Sequence, residues 1–305
     1  MNLDSAAEQY LQLLVAAARP PLQELSPDEA RASYDMTIPF AGDGADVASV
    51  TPMTIDGVPC HLVMPHGVKV PGVLIWFHGG GWVIGSGPAS IAVCRDLAAA
   101  SNCAVLTVDY RLAPEHRAPA AVVDCVGVAR WVVERGREIG VDPSRVAVGG
   151  DSAGGNLAAL VALELGDRIS HQLLVYPATD LSMSHPSIEE NAEGYLLTKA
   201  SMRWFIDHYL STTGISATDP SVSPLFADPK RLSKAASASV LVAGFDPLRD
   251  EGIAYANALQ AAGVTTELRR FDSQIHAFFS LRVLIPEAGD AIAWGAAAVG
   301  AALSR

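Results

Sequence analysis

The chain has no basic cluster, no apolar run long enough for a bilayer and no cysteines at metal-ligand spacing. Each absence excludes a class of function. With 21 Lys and Arg against 33 Asp and Glu, the formal net charge is −12, which disfavours nucleic acid and anionic membrane as partners. No segment reaches the roughly 20 apolar residues of a spanning helix, so no membrane insertion is expected. The start, Met1-Asn2-Leu3-Asp4, lacks the positive n-region and apolar h-region of a secretory leader. Four cysteines, Cys60, Cys94, Cys103 and Cys125, show no close pairing and read as reduced thiols of a cytoplasmic protein. There is no His-Glu-x-x-His zinc motif and no phosphate loop ending in Gly-Lys-Ser/Thr. Gly85-Ser86-Gly87 has two glycines of a dinucleotide fingerprint but not the third, and reads as a turn ahead of a helix near 89–100. No metal or cofactor is implied, and the expected partner is a small molecule.

What is present points to an α/β architecture. Half of the 305 residues are hydrophobic. From Val73 onward, strand-like and helix-like runs alternate, the pattern of a mostly parallel sheet with helices on both faces. Val73–Phe77, Ala104–Val108, Arg145–Val148, Gln172–Tyr176, Ser239–Ala243 and Thr265–Phe271 read as strands. Ser5–Arg19 reads as an amphipathic helix stopped by Pro20-Pro21, with a second short helix after Ser26-Pro27-Asp28-Glu29. Asn191–Leu210 reads as a helix with Tyr195, Leu196, Trp204, Phe205 and Tyr209 as its bulky face. Glu287–Leu303 reads as an Ala-rich helix packed on the sheet.

The stretch Gly150-Asp151-Ser152-Ala153-Gly154 lies between the strand 145–148 and a helix 156–165. A G-x-S-x-G sequence in that context predicts a nucleophile elbow, in which Gly150 and Gly154 let neighbouring backbones pass and Ser152 is lifted out on a strained turn. A serine hydroxyl is a poor nucleophile alone and needs a base, an orienting acid and an anion-stabilising pocket. The strand 73–77 ends in His78-Gly79-Gly80-Gly81-Trp82, whose glycines leave backbone N–H groups uncovered. The expected oxyanion donors are Gly79 and Gly80, with Ala153 after the nucleophile. His78 reads as a residue that braces this loop.

In this architecture the acid and then the base follow the serine along the chain. Asp246 sits just past the strand 239–243 and is favoured as the acid over Asp250, which could cap the next helix. Only one histidine, His276, follows Asp246, which makes it the base. Taken together, the motifs His78-Gly79-Gly80-Gly81-Trp82, Asp109-Tyr110-Arg111-Leu112-Ala113-Pro114-Glu115, Gly150-Asp151-Ser152-Ala153-Gly154-Gly155-Asn156 and Asp246-Pro247-Leu248-Arg249-Asp250 resemble the hormone-sensitive-lipase-like esterases, the bacterial family IV group of the α/β-hydrolases. The likeness covers about residues 45–300.

The resemblance implies an α/β-hydrolase fold with a mostly parallel sheet of about eight strands, flanked by helices and covered by a helical cap. It divides the chain into an N-terminal cap segment 1–45, a first part of the core 46–185, a cap insertion 186–217 and a second part of the core 218–305. It implies hydrolysis of short- to medium-chain acyl esters through an acyl-enzyme. Substrate contacts are expected from Trp82, Asp151, Tyr195, Leu196, Phe205 and Phe278. Arg111 and Glu115 are expected to form a structural ion-pair network. Family members often dimerise through the last strand and helix, which leaves a homodimer open. One departure stands out: the family usually has Gly after the base, and this chain has Ala277. An amidase, carbamate hydrolase or lactonase with the same triad is an alternative. A non-catalytic binding protein on this fold, like the plant gibberellin receptors that have lost the histidine, is another.

Overall fold

The computed structural model describes residues 2–304. The chain begins with α1 (Ser5–Ala16) and α2 (Pro27–Asp35), then forms the antiparallel pair β1 (Ser49–Ile55) and β2 (Val58–Met64). The alternating part follows as β3 (Val73–Phe77), α3 (Ile91–Ser101), β4 (Ala104–Val108), α4 (Ala120–Arg135), β5 (Val146–Asp151), α5 (Ala153–Leu165) and β6 (His171–Val175). The insertion carries α6 (Ser187–Glu190) and α7 (Lys199–Leu210), and α8 (Pro229–Leu232) follows it. The chain closes with β7 (Ser237–Phe245), α9 (Arg249–Ala261), β8 (Thr266–Ile275) and α10 (Glu287–Leu303). The eight strands form one sheet in the order β1-β2-β4-β3-β5-β6-β7-β8, parallel from β4 to β8.

The central strands are buried on both faces, so they are continuous apolar runs rather than alternating ones. In β3, Val73, Ile75 and Phe77 point to one core with α4, α5 and α9, while Leu74 and Trp76 point to the other with α3 and α10. Because these strands run parallel, the loops after them all lie at one edge of the sheet. That edge is where parallel α/β sheets build their sites. β3, β5, β7 and β8 each end there with a segment that the sequence marked for chemistry.

The insertion differs from the expected single helix over 191–210. Residues 191–198 are non-helical, and α7 begins only at Lys199. Asn191 ends α6, and Gly194 takes a left-handed φ of +89°. Thr198 then restarts the helix through a reciprocal side-chain cap with Ser201. Arg111 and Glu115 form no shared network. Arg111 forks onto Asp124 of α4, whereas Glu115 pairs with Arg31 of α2 at 2.7 Å. Arg31 also donates to the carbonyls of Val83 and Ala113, so one side chain ties the N-terminal segment to the core.

Candidate active site

β5 runs straight into α5 with only Ser152 between them, at φ +57° and ψ −119°. This is a conformation that an L-residue adopts only under constraint. The constraint is visible at Gly154, where a Cβ would lie on the Phe77 carbonyl oxygen. Only glycine lets β3 and the start of α5 approach closely enough to lift the serine.

His276 follows β8 and is 6% exposed, and Asp246 follows β7 and is fully buried. His276 Nε2 lies 3.0 Å from Ser152 Oγ, and His276 Nδ1 lies 2.7 Å from Asp246 Oδ2. The other carboxylate oxygen of Asp246 accepts the Leu248 N–H at 2.8 Å, which fixes its orientation. The Tyr176 ring lies 4.6 Å from the His276 ring and supports it from the side. Asp250 is engaged elsewhere: it pairs with Arg249 and accepts the Ser187 N–H. The arrangement can pass a proton from Ser152 Oγ to an imidazole whose positive charge a buried carboxylate balances.

The glycine loop departs from expectation at one position. The Gly79 N–H donates to Asp151 Oδ1 at 3.0 Å, so it is not free for an oxyanion. The N–H groups of Gly80, Gly81 and Ala153 have no acceptor among the described residues. Gly79, Gly80 and Gly81 all line the same cavity as Ser152, Ala153 and His276. The sequence marks the glycines, but which N–H points inward depends on the φ of +118° at Gly80 and +57° at Gly81. His78 is fully buried beneath the loop, stacked on Tyr110 at 4.3 Å, and its ring Nδ1 contacts the Gly79 carbonyl oxygen at 2.7 Å. Burial pushes its imidazole below the ordinary range, which favours the neutral ring.

The cavity has a volume of about 980 Å³. Of the expected substrate contacts, Trp82, Asp151, Leu196 and Phe205 line it, and Tyr195 and Phe278 do not. Tyr195 packs on Phe245, and Phe278 is fully buried against Phe271 and Tyr176. An apolar side chain near a site in sequence has two faces to choose between, and these two turned to the core. Leu22, Leu25, Tyr34 and Met202 line the cavity without having been singled out. The apolar pattern of 22–34 is too short to show which side faces the site. Asp151 is half-buried, and burial pushes its carboxyl up to about 6, against the pull of nearby His276 and the Gly79 N–H. Ala277 sits in the left-handed region at φ +66° and also lines the cavity, which explains why glycine is the expected residue there.

Comparison with known proteins adds to this geometry. A family model described as the alpha/beta hydrolase fold matches residues 74–280. The carboxylic ester hydrolase LipN of Mycobacterium tuberculosis is 42% identical over 245 residues, a match that spans 76% of this chain and 65% of that protein. The ethyl acetate hydrolase of Pseudomonas putida is 34% identical over 310 residues, 96% of each chain. The solved structure of an ester hydrolase from the metagenome of Lake Arreo is 38% identical, with a TM-score of 0.95 over 99% of this chain and 100% of its own.

Proposed function

The chain belongs to the alpha/beta hydrolase fold family and is a carboxylic ester hydrolase, and from that premise we propose that Ser152, His276 and Asp246 cleave short- to medium-chain acyl esters through an acyl-enzyme. The observation that carries this reading is the unbroken hydrogen-bonded path from Ser152 Oγ through His276 to Asp246. Ser152 Oγ attacks the ester carbonyl carbon as His276 Nε2 takes its proton. Asp246 holds the ring in the tautomer with the proton on Nδ1 and balances the imidazolium that forms. The carbonyl electron pair moves onto oxygen, and that oxygen meets the N–H groups of Gly80, Gly81 and Ala153. Collapse expels the alcohol, which takes the proton from His276. Water then repeats the sequence on the acyl-enzyme and restores Ser152.

Preorganised donors of this kind act in a water-poor site, where each is worth about 2.7–4 kcal/mol of transition-state stabilisation. Asp151 fits a positioning role in this reading. By accepting the Gly79 N–H it joins the residue before the nucleophile to the loop that presents Gly80 and Gly81. The segments 1–45 and 186–217 act as cap, and 46–185 and 218–305 as core. The cavity lining supports that division, since it draws on α1, α2 and α7 as well as on the strand ends. The preference for shorter acyl chains rests on the family resemblance. The four buried free thiols support a cytoplasmic location, and β8, at the sheet edge, is open to pairing in a homodimer.

The test is hydrolysis of p-nitrophenyl esters from acetate to palmitate by wild type and Ser152→Ala. The expected result is turnover that peaks at short chains and falls by about 10⁴-fold or more in the variant. Near-wild-type turnover in a folded Ser152→Ala would remove Ser152 as nucleophile.

A further inference from the structure

Helix α7 shapes the cavity, but two of its rings also reach the glycine loop. Phe205 and Tyr209 are four residues apart and so share one face of α7. The Phe205 ring lies against the backbone of Gly81, where a Cβ would overlap Phe205 Cγ and Cδ1. The Tyr209 ring stacks on Trp82, the next residue, with centroids 4.5 Å apart and ring planes at 6°.

The loop needs support at this place. Gly80, Gly81 and Trp82 follow one another at φ +118°, +57° and +62°. Glycine adopts such values freely, but a bulky residue holds one only where its surroundings fix it. The carbonyl side of the loop is tied. The Gly80 carbonyl accepts the N–H groups of Val83 and Ile84 at 3.1 and 2.9 Å, and the Trp82 carbonyl accepts the Ala113 N–H at 2.8 Å. The N–H groups of Gly80 and Gly81 must stay unpaired if they are to receive an oxyanion, so no hydrogen bond on them can restrain the loop. Packing has to supply the rest of the restraint, and α7 supplies packing at Gly81 and Trp82.

Neither ring of the stack is anchored through its polar atom. Trp82 Nε1 and the Tyr209 hydroxyl are both buried with no partner among the described residues. Contact between the ring faces is what joins them. The Tyr209 carbonyl accepts the Ala118 N–H at 3.0 Å. Ala113 and Ala118 belong to the same short segment between β4 and α4, so the loop and α7 are both fixed to one piece of the core.

Resting on the reading of Ser152 as nucleophile and of Gly80, Gly81 and Ala153 as oxyanion donors, we propose that Phe205 and Tyr209 are positioning residues for the reaction. They hold Gly81 and Trp82 so that the N–H groups of Gly80 and Gly81 stay aimed at the oxyanion. Helix α7 thereby sets the rate as well as the shape of the cavity. Tyr209 is the cleaner probe: it is fully buried and, unlike Phe205, is not among the residues that line the cavity, so it acts on substrate only through its neighbours.

The experiment measures kcat and KM for the p-nitrophenyl esters of acetate, butanoate and octanoate, and Ki for pentyl trifluoromethyl ketone. The hemiketal that this ketone forms with Ser152 carries an oxyanion where the reaction develops one. Tyr209→Leu is expected to lower kcat about tenfold on all three esters, with KM within about twofold, and to raise Ki by a similar factor as kcat falls. Tyr209→Phe keeps the ring and gives up only an unpartnered hydroxyl, and is expected to restore both. A Tyr209→Leu protein with lowered Tm but unchanged kcat and Ki shows a merely structural contact and overturns the proposal. A loss that Tyr209→Phe does not restore overturns it equally. If Tyr209→Leu does not fold, Phe205→Ala decides: kcat on the acetate is expected to fall about tenfold, and an unchanged kcat overturns the proposal. Failure of wild type to cleave any of the esters beyond the Ser152→Ala background overturns the esterase reading itself, and the positioning role with it.

Discussion

Ser152, Asp246 and His276 hang from the ends of β5, β7 and β8, whereas the opposite wall of the same cavity comes from α1, α2 and α7, which join no strand pairing. On the first side each position is set by the sheet, and the bonds are short and buried. On the second side the helices are held by side chains and isolated backbone bonds, such as that from the Ala118 N–H to the Tyr209 carbonyl of α7. Asp4 caps α1, a reciprocal cap starts α2, and the Arg31 fork spans to Glu115. Precise chemistry needs the first kind of construction, since misplacement by an ångström is expensive in rate. A wall that only shapes the substrate tolerates the second. The two sides meet at Asp151, which precedes Ser152 and lines the cavity together with Tyr34 of α2.

The sharpest way to separate them is at that meeting point. Asp151→Ala removes the acceptor for the Gly79 N–H and is expected to lower kcat about tenfold with a smaller change in KM. Asp151→Asn keeps an acceptor oxygen and is expected to restore most of the loss. Equal kcat in all three proteins would detach Asp151 from the oxyanion loop. The same substitution has a sign in stability. The Asp151 carboxyl titrates at about 6 when folded, above its ordinary 3.8. The folded state therefore binds this proton more tightly. That contribution is full below 3.8 and is lost as pH rises through about 6. Asp151→Asn should thus gain about 1–3 kcal/mol over wild type at pH 8 and nothing at pH 4, measured by urea unfolding. A gain independent of pH would contradict the burial argument.

On the helical side, Arg31→Ala breaks the fork to Glu115 and the bonds to Val83 and Ala113. The expected loss is about 1–2 kcal/mol by urea unfolding, with a broadened ester chain-length range and little change in kcat on the best ester. A drop in kcat as large as that for Asp151→Ala would mean that the two sides are not separable. The Arg31 fork also holds the Glu115 carboxyl down at about 2. Acid should therefore weaken this tie as pH falls from the ordinary carboxylate range toward 2. The smallest effect is expected at Ala277. Glycine there relieves a left-handed alanine, worth about 1 kcal/mol, but loosens the unfolded chain by a similar amount. Ala277→Gly should shift Tm by no more than about two degrees, and a larger rise would show that strain at φ +66° is not offset.

The same division explains what the sequence revealed. The strained turn at Ser152 and the places of Asp246 and His276 beside it were legible because each is set by a local rule: a turn that only small residues permit, or a position just past a strand. Position just past the strand, together with the family resemblance, favoured Asp246 over Asp250, and only Asp246 reaches His276. The free N–H groups of the glycine loop were legible only as a group of glycines, because assigning them requires φ values and the knowledge that Asp151 reaches Gly79. The cavity wall was least legible. Phe205 and Leu196 face the cavity, while Tyr195 beside Leu196 turns to Phe245. Arg31 was silent, because its partners lie about fifty and eighty residues downstream.

The N-terminal helix also carries a consequence for the order in which the molecule is made. The Asp4 N–H donates to the Ser273 carbonyl at 2.9 Å, and Tyr10 packs in the core that includes Phe278 and Phe279. Asp4 leaves the ribosome long before Ser273 is added, and at roughly 5–20 residues per second the wait is tens of seconds. During that time α1 can meet only the early part of its surface, such as Phe40, because β8 and His276 after it do not yet exist. The first helix to be synthesised is therefore among the last to complete its docking, since its bond to Ser273 must wait for β8.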